Sequence, residues 1–178
     1  MKMLKLTSEN LLEYPNILKK VSQLSLDISK HEQVKWLKPM HLKQKDPMKP
    51  EDRYYNVGYI LSGYYTAYVL LMDFQQPVVN DDIDNREVVG MLITNESETY
   101  SNTLSLCFMY VRPVYRGNGY GKELMKKFLA TVPSNHNVML NCFWNNTTAM
   151  KFYESCGFNH LRATFIRRGN KKGKKNVH

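Results

Sequence analysis

Arg116-Gly117-Asn118-Gly119-Tyr120-Gly121 sets three glycines at alternate positions behind an arginine, and a stretch with helical periodicity follows. The chemistry this arrangement suits is the holding of a phosphate. The first turn of a helix leaves backbone N–H groups without internal partners, and the macrodipole adds partial positive charge there. Glycines let those N–H groups approach an anion with no Cβ in the way, and an arginine adds charge-assisted hydrogen bonds. Two common phosphate motifs fail here. Counted from Gly117, the dinucleotide fingerprint G-x-G-x-x-G needs a glycine where Lys122 stands, and the P-loop needs a glycine at Arg116 and a hydroxyl at Glu123. The residues by themselves leave either a phosphate turn of unassigned ligand or glycines that serve only backbone shape.

A second block stands downstream: Asn146-x-x-Ala149-x-x-Phe152-Tyr153-x-x-x-Gly157-Phe158. Taken together with the R-x-x-G-x-G turn and a strand between them, it resembles the GNAT superfamily, the Gcn5-related N-acetyltransferases. The turn is similar to that family's acyl-CoA loop, [RQ]-x-x-G-x-[GA], and the match runs from about Leu104 to Phe158. The resemblance implies acetyl-CoA as co-substrate. Its pyrophosphate would lie on the amides of Arg116, Gly117, Asn118, Gly119, Tyr120 and Gly121, with Lys122 beside them. Its pantetheine arm would run along Met109, Tyr110 and Val111, where two parallel strands splay apart. Asn146 would approach the arm or a nearby water. Tyr153 matches the general acid that protonates the departing thiolate, while Phe152 reads as core. The strand amide near Val111 would polarise the thioester carbonyl. Some members use a glutamate base on the strand before the turn, but "LSLCFMYV" holds no acid. Glu96, Glu98, Asp73, His160 and a chain of waters remain candidates, and no base is assigned.

The elements that must position these residues follow from periodicity. "MLKL" reads as a first strand, and Pro15 as the first residue of a helix whose Ile17, Val21, Leu24 and Ile28 share one face. Residues 35–53 read mostly as loop. Strands are expected over 66–74, over "REVVGMLITNE" and over "NTLSLCFMYV", with "QQPVVNDDIDN" as a turn that makes a long hairpin of the first two. Leu124, Met125, Phe128 and Leu129 mark an amphipathic helix. "NVMLNCFW" reads as a strand covered on both faces. Ala149, Phe152, Tyr153 and Cys156 mark a short helix stopped by Gly157, and "FNHLRATFIRR" reads as a last strand. Three consecutive strands argue for antiparallel pairing and the later units for parallel crossovers. The expectation is an α/β fold with a mixed, mostly antiparallel sheet flanked by helices.

The 178 residues suit one core. A single domain is expected over 1–166, with a basic tail at 167–178. No apolar run reaches a membrane span and no leader is evident, so a cytoplasmic enzyme without a metal is expected. Cys107, Cys142 and Cys156 form no CxxC pair, and Cys107 and Cys156 read as core residues. Six of the 25 basic residues lie in "RRGNKKGKK", so most of the +9 net charge is local to that tail. The tail reads as a frayed terminus, and as an arm for phosphate-rich partners in the alternative. The tyrosines at 54, 55, 59, 64, 65 and 68 serve strand packing or wall an acceptor cleft, and 35–49 reads as solvated loop. The expected function is acetyl transfer from acetyl-CoA to a primary amine of a small molecule, peptide or protein. Two alternatives stay open: a nucleic-acid-bound or ribosomal acceptor, and a non-catalytic CoA-binding module. A homodimer is the expected assembly if a partner completes the sheet.

Overall fold

The computed structural model describes residues 1–32, 60, 62–72 and 83–161, the side chains of 25–32 excepted. Five strands form one sheet in the order β1-β2-β3-β4-β5: β1 Lys2–Leu6, β2 Thr66–Leu71, β3 Val88–Glu96, β4 Thr103–Val111 and β5 Asn137–Leu140. The first three junctions are antiparallel and the last is parallel. Helix α1 spans Pro15–Glu32, α2 spans Tyr120–Leu129 between β4 and β5, and α3 spans Thr147–Ser155. The mixed sheet expected from the element order is thus the sheet observed.

Each face of the sheet carries a core. On one, Ile17, Val21 and Leu24 of α1 pack against Val69, Met91 and Phe108. On the other, Leu124, Met125 and Phe128 of α2 pack against Leu70, Val89 and Leu92. These are the helical periodicities read from sequence. Tyr65 and Tyr68 are buried, and Tyr68 meets Phe128 edge to face at 5.1 Å, so strand packing accounts for both. The N-terminus of α1 is capped from a distance, with the N–H groups of Asn16 and Ile17 donating to the Asp84 carboxylate at 3.0 and 2.8 Å. A carboxylate there opposes the helix dipole as well as filling two orphan donors.

The β3–β4 ladder carries one residue too many on β4. Ile93 stands opposite Phe108 and Thr94 opposite Leu106, leaving Cys107 as a bulge. A bulge bends its strand and increases the local twist. The parallel pairing stops at the same point, because β5 accompanies β4 only from Thr103 to Leu106. Beyond it, residues 107–111 have no described strand on that side. The expected continuous strand to Trp144 is therefore corrected: β5 ends at Leu140, and Trp144 is 74% exposed. Once β4 turns away, the rest of the apolar run has no ladder to join. Residues 158–161 form no strand, and the remainder of the expected last strand, the tail, residues 35–53 and Tyr54, Tyr55 and Tyr59 lie outside the described residues.

Candidate active site

The glycine turn links β4 to α2. A 3-10 turn at Pro113–Tyr115 is followed by Gly117 and Gly119 at φ +82° and +79°. A Cβ at either would meet nothing within 4 Å, so backbone conformation, not crowding, calls for glycine, and the space beside both is open. The first helical bond runs from the Glu123 N–H to the Gly119 carbonyl at 3.1 Å. The N–H groups of Tyr120, Gly121 and Lys122 thus precede any helical acceptor and point out of the N-terminus. Asn118 spends its amide within the loop, on the carbonyls of Tyr115 at 3.4 Å and Arg116 at 3.2 Å. Arg116 folds back toward the strand. Its Nε donates to the Val111 carbonyl at 2.9 Å, and its guanidinium lies 4.9 Å from the centre of the Tyr110 ring. It braces the strand-to-turn corner, which the sequence did not reveal.

Gly121 is the meeting point of the three motif segments. A Cβ there would lie 3.3 Å from Phe152 of α3 and 3.8 Å from Met109 of β4. The turn, α3 and the unpaired length of β4 are therefore in direct contact. Tyr153 packs edge to face with Phe152 at 5.3 Å and with Phe158 at 5.8 Å, which fixes its ring against the α2-side core. Asn146 caps α3, its Oδ1 accepting from the Ala149 N–H at 3.2 Å. One lone pair of that oxygen is committed to the helix, while the amide nitrogen makes no contribution to the cap. Asn146→Ala should cost about 1 kcal/mol of stability, read as a lower denaturation midpoint.

The profile of the Acetyltransferase (GNAT) family matches residues 37–158. The chain belongs to the GNAT family of acetyltransferases. Solved structures agree on the fold. A mutant of the BH1408 protein from Bacillus halodurans is 14% identical with a TM-score of 0.62, covering 96% of this chain and 100% of that one. An aminoglycoside acetyltransferase from an uncultured soil metagenomic sample is 14% identical with a TM-score of 0.55, covering 96% of each chain. The aminoglycoside N-acetyltransferase AAC(6')-Iy in complex with CoA is 13% identical with a TM-score of 0.52, covering 96% and 100%. No curated protein sequence matches.

As a GNAT, the protein is an acyl-CoA-dependent N-acetyltransferase, and its features fit that ligand. The turn is open, the first amides of α2 precede any helical acceptor, and residues 107–111 of β4 have no described strand on the β5 side. Of the candidate bases, His160 lies 2.8 Å from Glu154 as an exposed pair, and Asp73 lies outside the described residues. Glu98 accepts a short hydrogen bond from the Tyr64 hydroxyl, a pairing that residues 34 apart in sequence gave no sign of. Burial pushes the Cys107 thiol up to about 11, so it stays protonated near neutral pH and reads as a packing residue. Cys156 packs against the α2-side core, whereas Cys142 is exposed. No helix among the described residues is long and apolar enough to cross a membrane.

Proposed function

We propose that the protein moves an acetyl group from acetyl-CoA to a primary amine by direct attack, within one domain spanning 1–166. The observation that carries this reading is the length of β4 at 107–111, which loses its parallel partner and leads straight to the exposed amides of α2. An arm lying there as an additional strand would end with its pyrophosphate over residues 116–121, Lys122 adding a positive charge at the rim. Acetyl-CoA supplies the activated thioester carbonyl. Met109, Tyr110 and Val111 align the arm through their backbone, and the Val111 region offers an amide to the carbonyl oxygen. Tyr153 gives a proton to the departing sulfur. Over the reaction a C–N bond forms and a C–S bond breaks, the nitrogen gives up a proton and the sulfur gains one.

Thermal unfolding with and without acetyl-CoA tests this. Ligand at about 100 times its dissociation constant should stabilise the fold by about 2.7 kcal/mol. A melting temperature that does not move at saturating acetyl-CoA or CoA would overturn the reading.

A further inference from the structure

We propose that Arg116 is a positioning residue for the ligand arm: its side chain removes one backbone acceptor from the open edge of β4 and so sets the register in which an amide-bearing chain pairs there. The inference rests on the acyl-transfer reading above and adds to it which groups of the edge the arm uses.

The phase of the β3–β4 ladder decides which main-chain groups face the open side. The Arg112 N–H donates to the Val89 carbonyl at 3.0 Å, and the pairs Gly90–Val111, Met91–Tyr110 and Leu92–Met109 follow in order. In an antiparallel ladder, residues that exchange hydrogen bonds across the pair alternate with residues whose main-chain groups point away from it. Arg112 and Tyr110 therefore bond to β3. Val111 and Met109 turn their N–H and C=O groups to the other side, where β5 accompanies β4 only as far as Leu106. Counted back from the glycine turn, the open edge holds the Val111 C=O, the Val111 N–H, the Met109 C=O and the Met109 N–H.

The first of these is occupied. Arg116 Nε donates to the Val111 carbonyl at 2.9 Å, and the guanidinium is held 4.9 Å from the centre of the Tyr110 ring. Residue 113, the next toward the turn, adds nothing. Pro113 has no N–H, and its carbonyl accepts from the Arg116 N–H at 3.2 Å. The other three groups have no hydrogen-bond partner among the described residues. What remains is a donor, an acceptor and a donor. Each secondary amide of a CoA arm presents, counted from the pyrophosphate, a C=O and then an N–H. A carbonyl of the arm thus falls on the Val111 N–H, and the N–H after it on the Met109 C=O. Were the Val111 carbonyl free, an N–H of the arm could pair with that acceptor instead. The arm would then sit two residues, about 7 Å, nearer the turn. The property that counts is where the donor nitrogen stands. Glutamine carries its amide nitrogen the same number of bonds from Cα as arginine Nε, without the charge. The lysine ammonium keeps the charge but lies one bond farther out.

The test is amide hydrogen exchange on the full-length protein with and without saturating CoA. CoA should slow exchange at Met109 and Val111 in the parent and in Arg116→Gln. In Arg116→Ala the protection should remain at Val111 and be lost at Met109, with Arg116→Lys restoring less of it than Arg116→Gln. Turnover of acetyl-CoA should follow, kcat falling on the order of 10²-fold in Arg116→Ala and recovering most of that loss in Arg116→Gln. Without ligand, the Arg112 amide should exchange equally slowly in every variant. Met109 protection that survives in Arg116→Ala would overturn the proposal. So would rescue by Lys but not by Gln, which assigns the effect to charge, or a loss of Arg112 protection in ligand-free Arg116→Ala, which makes Arg116 a brace of the strand alone. Melting shifts with CoA keep the two readings apart. Positive shifts throughout, with Met109 protection unchanged in Arg116→Ala, remove the register role and leave acyl transfer standing. No shift and no protected amide in the parent remove acyl transfer itself, and the register role with it.

Discussion

A Tyr153→Phe protein should fold as the parent does, bind acetyl-CoA as tightly, and acetylate amines about 10²–10⁴ times more slowly, the range a positioned general acid contributes. The separation of effects follows from how the ring is held. Tyr153 meets Phe152 and Phe158 through its aromatic edges, contacts that phenylalanine keeps. The substitution removes one hydroxyl from a half-buried ring and leaves the Gly121–Phe152 contact that seats α3 on the turn. A thiolate leaving without a proton donor is the step exposed. Steady-state turnover alongside acetyl-CoA melting shifts separates the two quantities. Equal turnover by both proteins would remove Tyr153 from the chemistry and leave it a packing residue.

Gly90→Ala should do the reverse, damaging the fold first and binding as a consequence. Gly90 stands opposite Val111 in the β3–β4 ladder. A Cβ at this position would lie 2.6 Å from the Tyr110 carbonyl oxygen and 3.1 Å from Val111 Cα, both backbone atoms that no rotamer change relieves. One strand must move off the other, at a cost of about 1–3 kcal/mol or more for overpacking. The displaced segment holds Val111, whose carbonyl anchors Arg116, so the corner leading into the glycine turn moves with it. A lower denaturation midpoint together with a smaller acetyl-CoA melting shift is expected. A midpoint within experimental error of the parent would show that the strands accommodate the methyl group.

The parts of this molecule that follow from local rules were legible in sequence. Helix α2 announced itself through Leu124, Met125 and Phe128, and Pro15 marked the start of α1. The turn and the α3 block together carried the family. What escaped depends on partners distant in the chain. "NVMLNCFW" is apolar throughout, and periodicity within it holds nothing about where β4 ceases to run alongside, so the strand was drawn four residues too long. The Tyr64–Glu98 pair depends on the order in which strands assemble. Gly90 and Asn146 did leave signals that passed unread: a glycine inside a strand marks close backbone approach, and an asparagine ahead of a helical run marks an N-cap. The base positions offered from sequence were three scattered acids and one histidine beside a chain of waters, and only the fold shows that one of them, Glu98, accepts a hydrogen bond from a tyrosine.

The bulge at Cys107 has a consequence for how this site is encoded. Leu104 and Leu106 face the α2 side, and so do Met109 and Val111, although an even-numbered alternation would have put 108 and 110 there. Without Cys107 the remaining residues of β4 would alternate without a break, each on the face it now occupies. The thiol contributes little that another small side chain could not. The added length of backbone throws β4 out of step with β3, at the residue beyond which β5 no longer accompanies it. The shift of β4 at the place where we propose the ligand arm lies is thus written in the number of residues along one strand, a message of arithmetic that no inspection of side-chain types, position by position, would reveal.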